Sequence, residues 1–217
     1  MSPLDTLREF TVGVAWLIRL WYNQQDNANH VTISTHRRMR YEMPSRGFTH
    51  ESTYNESKEW YTPPRLFEQL GIEFDLDPCA PPEDGFRTVP AKRFITLEQN
   101  GLLTPWDITD NVFMNPPYGA DTPAWLSKLA THGADGGSGI ALVFARTDTK
   151  WFHEIVRYSN AIAFFKGRLH FLQSDGTYGK GGAGAGSMLV VWGHDNRERV
   201  EHAFNKHRLG LVTSFWE

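Results

Sequence analysis

A chain of 217 residues with 40% hydrophobic content can build one domain with a full core and a short extension. Its single cysteine, Cys79, excludes an internal disulfide and fits a reducing compartment, and nine scattered histidines show no paired metal-ligand spacing. A formal net charge of −3 argues against nucleic-acid binding by bulk electrostatics. The charge is uneven. Residues 61–120 hold four Lys/Arg against nine Asp/Glu (net −5), and residues 121–217 hold eleven against nine (net +2). Together with the basic run His36-Arg37-Arg38-Met39-Arg40, this acidic centre with basic flanks is compatible with phosphate contact, and equally with solvated faces.

The first expected element is an amphipathic helix over residues 3–21, with Ser2 as N-cap and Pro3 at the first helical position. Its most apolar stretch, residues 10–18, is too short to span a bilayer and lies between Glu9 and Arg19. Membrane insertion is therefore not expected, and a cytoplasmic location is the default. Polar and turn-forming runs at 23–27 and 44–47 mark residues 1–57 as an N-terminal extension, partly helical and partly flexible, ahead of a domain over 58–217.

Within that domain Thr62 reads as an N-cap and Pro63 as a first helical residue, with Leu66, Phe67 and Leu70 apolar and Gly71 as the stop. Phe74-Asp75-Leu76-Asp77 reads as a strand cut short by Pro78. Short strands at 93–96 and 112–114 follow, then a helix at 124–132 and a continuous apolar strand at 140–144, the signature of burial on both faces. A helix at 150–158, buried strands at 161–165 and 188–192, and a late helix at 198–206 complete the series. Such alternation predicts an α/β fold with a mostly parallel central sheet flanked by helices. The segment 176–186, with six glycines in eleven positions, opens no helix and reads as a mobile loop rather than a phosphate site.

The most informative stretch is Asn115-Pro116-Pro117-Tyr118, directly after the strand at 112–114. Neither proline has an N–H to donate, so the chain must leave the sheet at Asn115 and stay stiff and extended through Pro117. A side-chain amide and free carbonyls are thereby held at a strand's carboxyl end beside an aromatic ring, an arrangement suited to gripping a planar amine. A second strand end, Asp75-Leu76-Asp77-Pro78-Cys79-Ala80, offers carboxylates to ribose hydroxyls or an ammonium group, or uses Asp77 merely to cap the turn. Cys79 reads as a small spacer. Trp60-Tyr61-Thr62-Pro63 supplies either a helix N-terminus for a carboxylate with aromatics for a purine or sulfonium, or a plain cap with core aromatics. No G-x-G-x-x-G follows the first strand and no G-K-[ST] loop is present, so dinucleotides and triphosphates lack their usual cradle. No Ser/His/Asp or Cys/His arrangement supports a small-molecule hydrolase.

Five segments occur in order: Glu59-Trp60-Tyr61-Thr62-Pro63-Pro64, Phe74-Asp75-Leu76-Asp77-Pro78-Cys79-Ala80, Phe113-Met114-Asn115-Pro116-Pro117-Tyr118-Gly119, Ala145-Arg146-Thr147-Asp148-Thr149 and Gly167-Arg168-Leu169-His170-Phe171. Together, over residues 59–192, they resemble the phage-type, Dam-like DNA N6-adenine methyltransferases. The resemblance implies a Rossmann-like methyltransferase fold, S-adenosylmethionine as cofactor, and double-stranded DNA with a flipped adenine as substrate. It implies that Trp60, Tyr61, Thr62 and Pro63 embrace the methionine part of the cofactor and that Asp75, Asp77 and Pro78 line its pocket. Asn115, Pro116, Pro117 and Tyr118 match the catalytic tetrapeptide. Asn100 stands where the family often has Asp, a position near the cofactor adenine or the target base. Arg146, Lys150 and Arg168 are candidates for DNA phosphate contacts or for surface ion pairs.

The tetrapeptide also occurs in enzymes that methylate protein glutamine or RNA guanine, and a non-catalytic DNA-binding module is a further alternative. Sequence recognition would fall to loops near 120–124, 145–150 and 172–187, where no side-chain code links residues to bases. The target sequence, the oligomeric state and a role in restriction-modification or phage DNA protection are not encoded legibly.

Overall fold

A computed structural model of the chain describes residues 60–179 and 181–215. The expected helix at 3–21, the polar runs and the basic cluster at 36–40 lie outside the described residues. The order of elements is α1 (Pro64–Leu70), β1 (Phe74–Ala80), β2 (Ala91–Thr96), β3 (Asn111–Met114), α2 (Thr122–Ala134) and β4 (Ser138–Phe144). There follow α3 (Lys150–Glu154), a 3₁₀ turn (Val156–Tyr158), β5 (Ala161–Phe165), β6 (Ser187–Trp192), α4 (His194–His207) and β7 (Gly210–Ser214).

The seven strands form one sheet in the order β2-β1-β3-β4-β6-β5-β7. The α/β class is as expected, but a mostly parallel sheet is not what forms. The pairs β2/β1, β1/β3 and β3/β4 are parallel, whereas β4/β6, β6/β5 and β5/β7 are antiparallel. The physical reason lies in the connections. No helix intervenes between β5 and β6, and an antiparallel pair needs none, whereas α4 carries the chain over β5 between two strands of like direction, β6 and β7.

Two apolar clusters sandwich the sheet. On one face Leu66 and Phe67 of α1 and Val200 and Phe204 of α4 pack on Phe74, Phe113, Ile140 and Leu142. On the other, Leu126 and Leu129 of α2 pack on Leu76, Val112, Met114, Ala141 and Val143. Consecutive residues of β4 thus enter opposite clusters, which is why its sequence is an unbroken apolar run.

Two local expectations are corrected. Pro63 is extended (φ −65°, ψ 135°) and serves as N-cap of α1, and Thr62 makes no capping hydrogen bond. Pro64 is the cause, because a residue before proline is pushed out of the α region. Nor does β1 stop at Asp77. It runs through Pro78 to Ala80, with a register shift between Asp77 and Ala80, and a bulge of that kind is where a strand tolerates a proline. Around the glycine-rich segment the described residues make several backbone contacts. Gln173 and Thr177 close a turn, Leu172 bridges Tyr178, Gly179 N–H donates to Phe171, and Ala183 N–H donates to Leu169.

Candidate active site

Because β1, β2 and β3 are parallel, their carboxyl ends share one edge of the sheet, and there the chain leaves a cavity of about 580 Å³. This is where open α/β sheets hold ligands, and the volume falls within the roughly 300–1,000 Å³ of small-molecule pockets. Trp60, Tyr61 and Thr62 form one wall, and Asp77, Pro78 and Cys79 at the end of β1 form another. Asn100, Gly101 and Leu102 after β2 close a third side, and Asn115, Pro116, Pro117 and Tyr118 after β3 a fourth.

Asn115 is held by both ends of its amide. Its Nδ2 donates to the Trp60 carbonyl at 2.8 Å, and its Oδ1 accepts the Tyr118 hydroxyl at 2.9 Å. The Trp60 carbonyl can only accept, so the amide cannot be the other way round. Burial pushes the Tyr118 phenol far above its usual pKa, which keeps it a donor. The Tyr118 ring stacks on Phe144 at 4.0 Å and 10° and meets Phe171 edge-on at 6.3 Å. One ring face is therefore committed to the core, and a base has only the other to use. The Pro116 carbonyl takes part in no hydrogen bond among the described residues. Thr122, in the first turn of α2, braces the exit from the tetrapeptide: its Oγ1 donates to the Pro117 carbonyl at 3.3 Å and accepts from Gly119 N–H at 3.2 Å.

At the end of β1, Asp77 is 3% exposed, and its Oδ1 accepts the Cys79 N–H at 3.0 Å. Burial raises its pKa to about 7, against the lowering effects of the Cys79 amide and the Arg87 charge. Burial, with the charge of Asp77, pushes the Cys79 thiol well above its ordinary range, so it is a poor nucleophile. Across the cavity, Thr62 Oγ1 is buried without a hydrogen-bond partner among the described residues. The segment carrying it is pinned by two 2.9 Å backbone bonds between Tyr61 and Leu172.

The third wall is a turn. Asn100 takes a left-handed conformation (φ 53°), and its Oδ1 accepts from the Leu102 and Leu103 amides at 3.2 and 3.4 Å. Asn is among the few side chains suited to that backbone. Gly101 sits so close to β1 that a Cβ there would lie 2.1 Å from the Pro78 carbonyl oxygen and 2.8 Å from Trp125. The Lys128 ammonium donates to the carbonyls of Gly101, Leu102 and Thr104 at 2.8, 2.9 and 2.6 Å, and burial lowers its pKa to about 8.

Of the residues singled out in the sequence, ten line this cavity: Trp60, Tyr61, Thr62, Asp77, Pro78, Asn100, Asn115, Pro116, Pro117 and Tyr118. Pro63 is buried behind the wall. Asp75 is not among the lining residues. It bonds to Lys92 at 2.8 Å and accepts the Asn111 N–H at 2.9 Å, and these contacts hold its pKa low. Arg146, Lys150 and Arg168 are exposed and outside the cavity. Lys150 pairs with Glu154 at 3.7 Å, while among the described residues neither arginine has a carboxylate within ion-pair distance. Sequence reasoning passed over Glu98 and Trp125, which also line the cavity, as does Asp121 of the 120–124 loop expected to serve sequence recognition. Glu98 had a findable signal, an acid just beyond the second strand and 21 residues after Asp77.

An α/β protein whose ligand-sized cavity is lined by a doubly hydrogen-bonded side-chain amide and by a proline whose carbonyl has no partner among the described residues has the outline of an enzyme acting on a planar amine. The family described as DNA N-6-adenine-methyltransferase (Dam) matches residues 49–210, and the chain belongs to that family, the adenine-specific DNA methyltransferases. It is also 30% identical over 133 residues to a protein of Haemophilus phage HP1 (strain HP1c1) named DNA N-6-adenine-methyltransferase, a match covering 58% of this chain and 74% of the relative. No solved structure matches the chain. No helix among the described residues is long and apolar enough to cross a membrane.

Proposed function

We propose that the chain moves a methyl group from S-adenosylmethionine to the N6 amine of an adenine flipped out of duplex DNA, with Asn115 and Pro116 gripping that amine. The observation carrying this reading is the clamped Asn115 amide beside a Pro116 carbonyl that has no hydrogen-bond partner among the described residues. The cavity's chemistry fits the cofactor. Thr62 Oγ1, buried and without a hydrogen-bond partner among the described residues, offers a polar atom to a ligand, and Asp77 offers a carboxyl group. Trp60 and Tyr61 offer aromatic surface, and Glu98 stands where a carboxylate reaches ribose hydroxyls. The parallel half of the sheet, with the cavity at its carboxyl edge, supports a Rossmann-like reading of the fold, and we place the methyltransferase domain over residues 58–217.

When bound, the cofactor supplies an electrophilic methyl group on a sulfonium. The adenine amine is a weak nucleophile because its lone pair is delocalised into the ring. Asn115 Oδ1 has one lone pair left after accepting from Tyr118, and the Pro116 carbonyl has both. Accepting one amine proton each, they favour a pyramidal nitrogen whose lone pair points away from them. Neither carbonyl is basic enough to keep a proton, so the proton released after transfer passes to water. Positioning and preorganised dipoles supply the acceleration, with no covalent intermediate on the protein. Extrusion of the base from the stack brings its amine within reach of such a pocket, and the free face of Tyr118 is the surface for it.

Asn115→Ala tests the reading. Methyl transfer from tritiated cofactor to duplex DNA should be abolished while cofactor affinity, followed by calorimetry, stays nearly unchanged. Full activity in that variant would sink the assignment. Digestion of DNA from expressing cells with adenine-methylation-sensitive nucleases separates this reading from methylation of protein glutamine or RNA guanine.

A further inference from the structure

Lys128 lies outside every motif in the sequence, yet its surroundings are built for one job. Each of its three ammonium donors is taken by a carbonyl of the turn after β2: Gly101 at 2.8 Å, Leu102 at 2.9 Å and Thr104 at 2.6 Å. The ammonium also lies 4.5 Å from the centre of the Trp106 ring, whose Nε1 donates to the same Gly101 carbonyl at 3.1 Å. No carboxylate of the described residues is within ion-pair distance of it. The charge is thus spent on backbone carbonyls and a ring face, a pattern that holds a chain segment in place.

The segment it holds is a cavity wall. Asn100, Gly101 and Leu102 line the cavity, and the same helix presents Trp125 one turn earlier, against the space where a Gly101 Cβ would sit. Trp125 and Lys128 are three residues apart and share a helix face. One packs against the turn and the other ties its carbonyls. The turn has little room to shift: Asn100 is left-handed, and Gly101 approaches β1 closer than any side chain permits.

We propose that Lys128 is a positioning residue for cofactor binding, clamping the 100–102 wall in the shape that receives S-adenosylmethionine. The proposal rests on the reading of this cavity as the cofactor site. Without the ammonium, the Leu102 and Thr104 carbonyls lose their donor, the Gly101 carbonyl keeps only that of Trp106, and the wall relaxes toward solvent. Cofactor affinity falls, while the Asn115 grip, anchored on Trp60 and Tyr118, is untouched.

The test is binding of S-adenosylhomocysteine to the full chain, measured by calorimetry, alongside single-turnover methylation of duplex DNA. Lys128→Met should weaken binding by about tenfold or more, as loss of a charge-assisted cluster implies, with the rate at saturating cofactor within about twofold of wild type. Lys128→Cys should behave likewise, and aminoethylation of that thiol, which restores an ammonium at nearly the same reach, should recover most of the affinity. Wild type treated in parallel controls for Cys79. Should Lys128→Met not fold, Lys128→Gln replaces it with the same direction of effect. Unchanged affinity in a folded variant, or a lost rate with unchanged affinity, would overturn the clamp and leave the cofactor site standing. No binding to the wild-type chain would instead overturn the cofactor-site reading itself, and the clamp with it.

Discussion

Tyr118→Phe removes one oxygen from the site and leaves the ring. The stack on Phe144 at 4.0 Å and the edge contact with Phe171 survive, so packing changes little. What is lost is the 2.9 Å bond from the phenol to Asn115 Oδ1, after which only the 2.8 Å bond to the Trp60 carbonyl orients the amide. An unsatisfied buried acceptor costs about 1–3 kcal/mol, and the lower end applies because the adjoining cavity lets water replace the donor. A melting point about 2–4 °C lower is expected for a loss of about 1 kcal/mol in a domain of this size. The larger effect falls on chemistry. With the amide free to turn about its last side-chain bond, the methyl-transfer rate at saturating cofactor should fall roughly tenfold to a hundredfold, the scale of sub-ångström to ångström misplacement. Single-turnover transfer of tritiated methyl to an oligonucleotide duplex measures that rate directly, and S-adenosylhomocysteine affinity should stay within about twofold. A wild-type rate in Tyr118→Phe would refute the view that the phenol orients Asn115 and would reduce the tyrosine to a packing and stacking residue.

Two further outcomes follow from the cavity walls. Gly101→Ala forces a Cβ to within 2.1 Å of the Pro78 carbonyl oxygen, so the turn must move. Overpacking of about 1–3 kcal/mol should appear in thermal melts together with roughly tenfold weaker cofactor binding, and undiminished affinity would show that the wall does not touch the cofactor. Asp77 has a folded-state pKa raised to about 7 from 3.8, so the folded protein binds the extra proton between those values. Stability should therefore fall as pH rises through that window and level off above about 7. Affinity for the cationic cofactor should strengthen across pH 7 as the carboxylate forms, more steeply than for the neutral thioether product. Asp77→Asn should flatten both profiles in melts and calorimetry, and identical profiles in the variant would exclude Asp77 as their source.

Much of the architecture could be read from local chemistry. Residues 161–165 form a strand with the bounds expected from their apolar run, and Gly71, at φ 62°, ends α1 where the pattern stops. Elements fixed by partners were harder to see. Strand β7 is a largely exposed edge with no apolar run, and it is held as a strand by antiparallel pairing with β5, where Gly210 approaches the Phe164 carbonyl oxygen closer than a Cβ permits. Asp75 and Asp77 look equivalent as one motif, yet one faces Lys92 and Asn111 while the other enters the cavity. Only the neighbours contributed by β2 and β3 separate them.

By itself the sequence determined that the chain turns sharply out of a buried strand at Asn115 and keeps an amide and two proline carbonyls there. That outcome depends only on proline's missing N–H and restricted backbone, which act within a few residues. The tertiary structure decided what those groups can do. It set Trp60, 55 residues earlier in the chain, against the Asn115 amide, and turned the Tyr118 phenol onto its oxygen. It also brought Lys128 of α2 onto the carbonyls of the turn after β2. Contacts between distant segments are specified by packing of the whole sheet, and no local pattern records them.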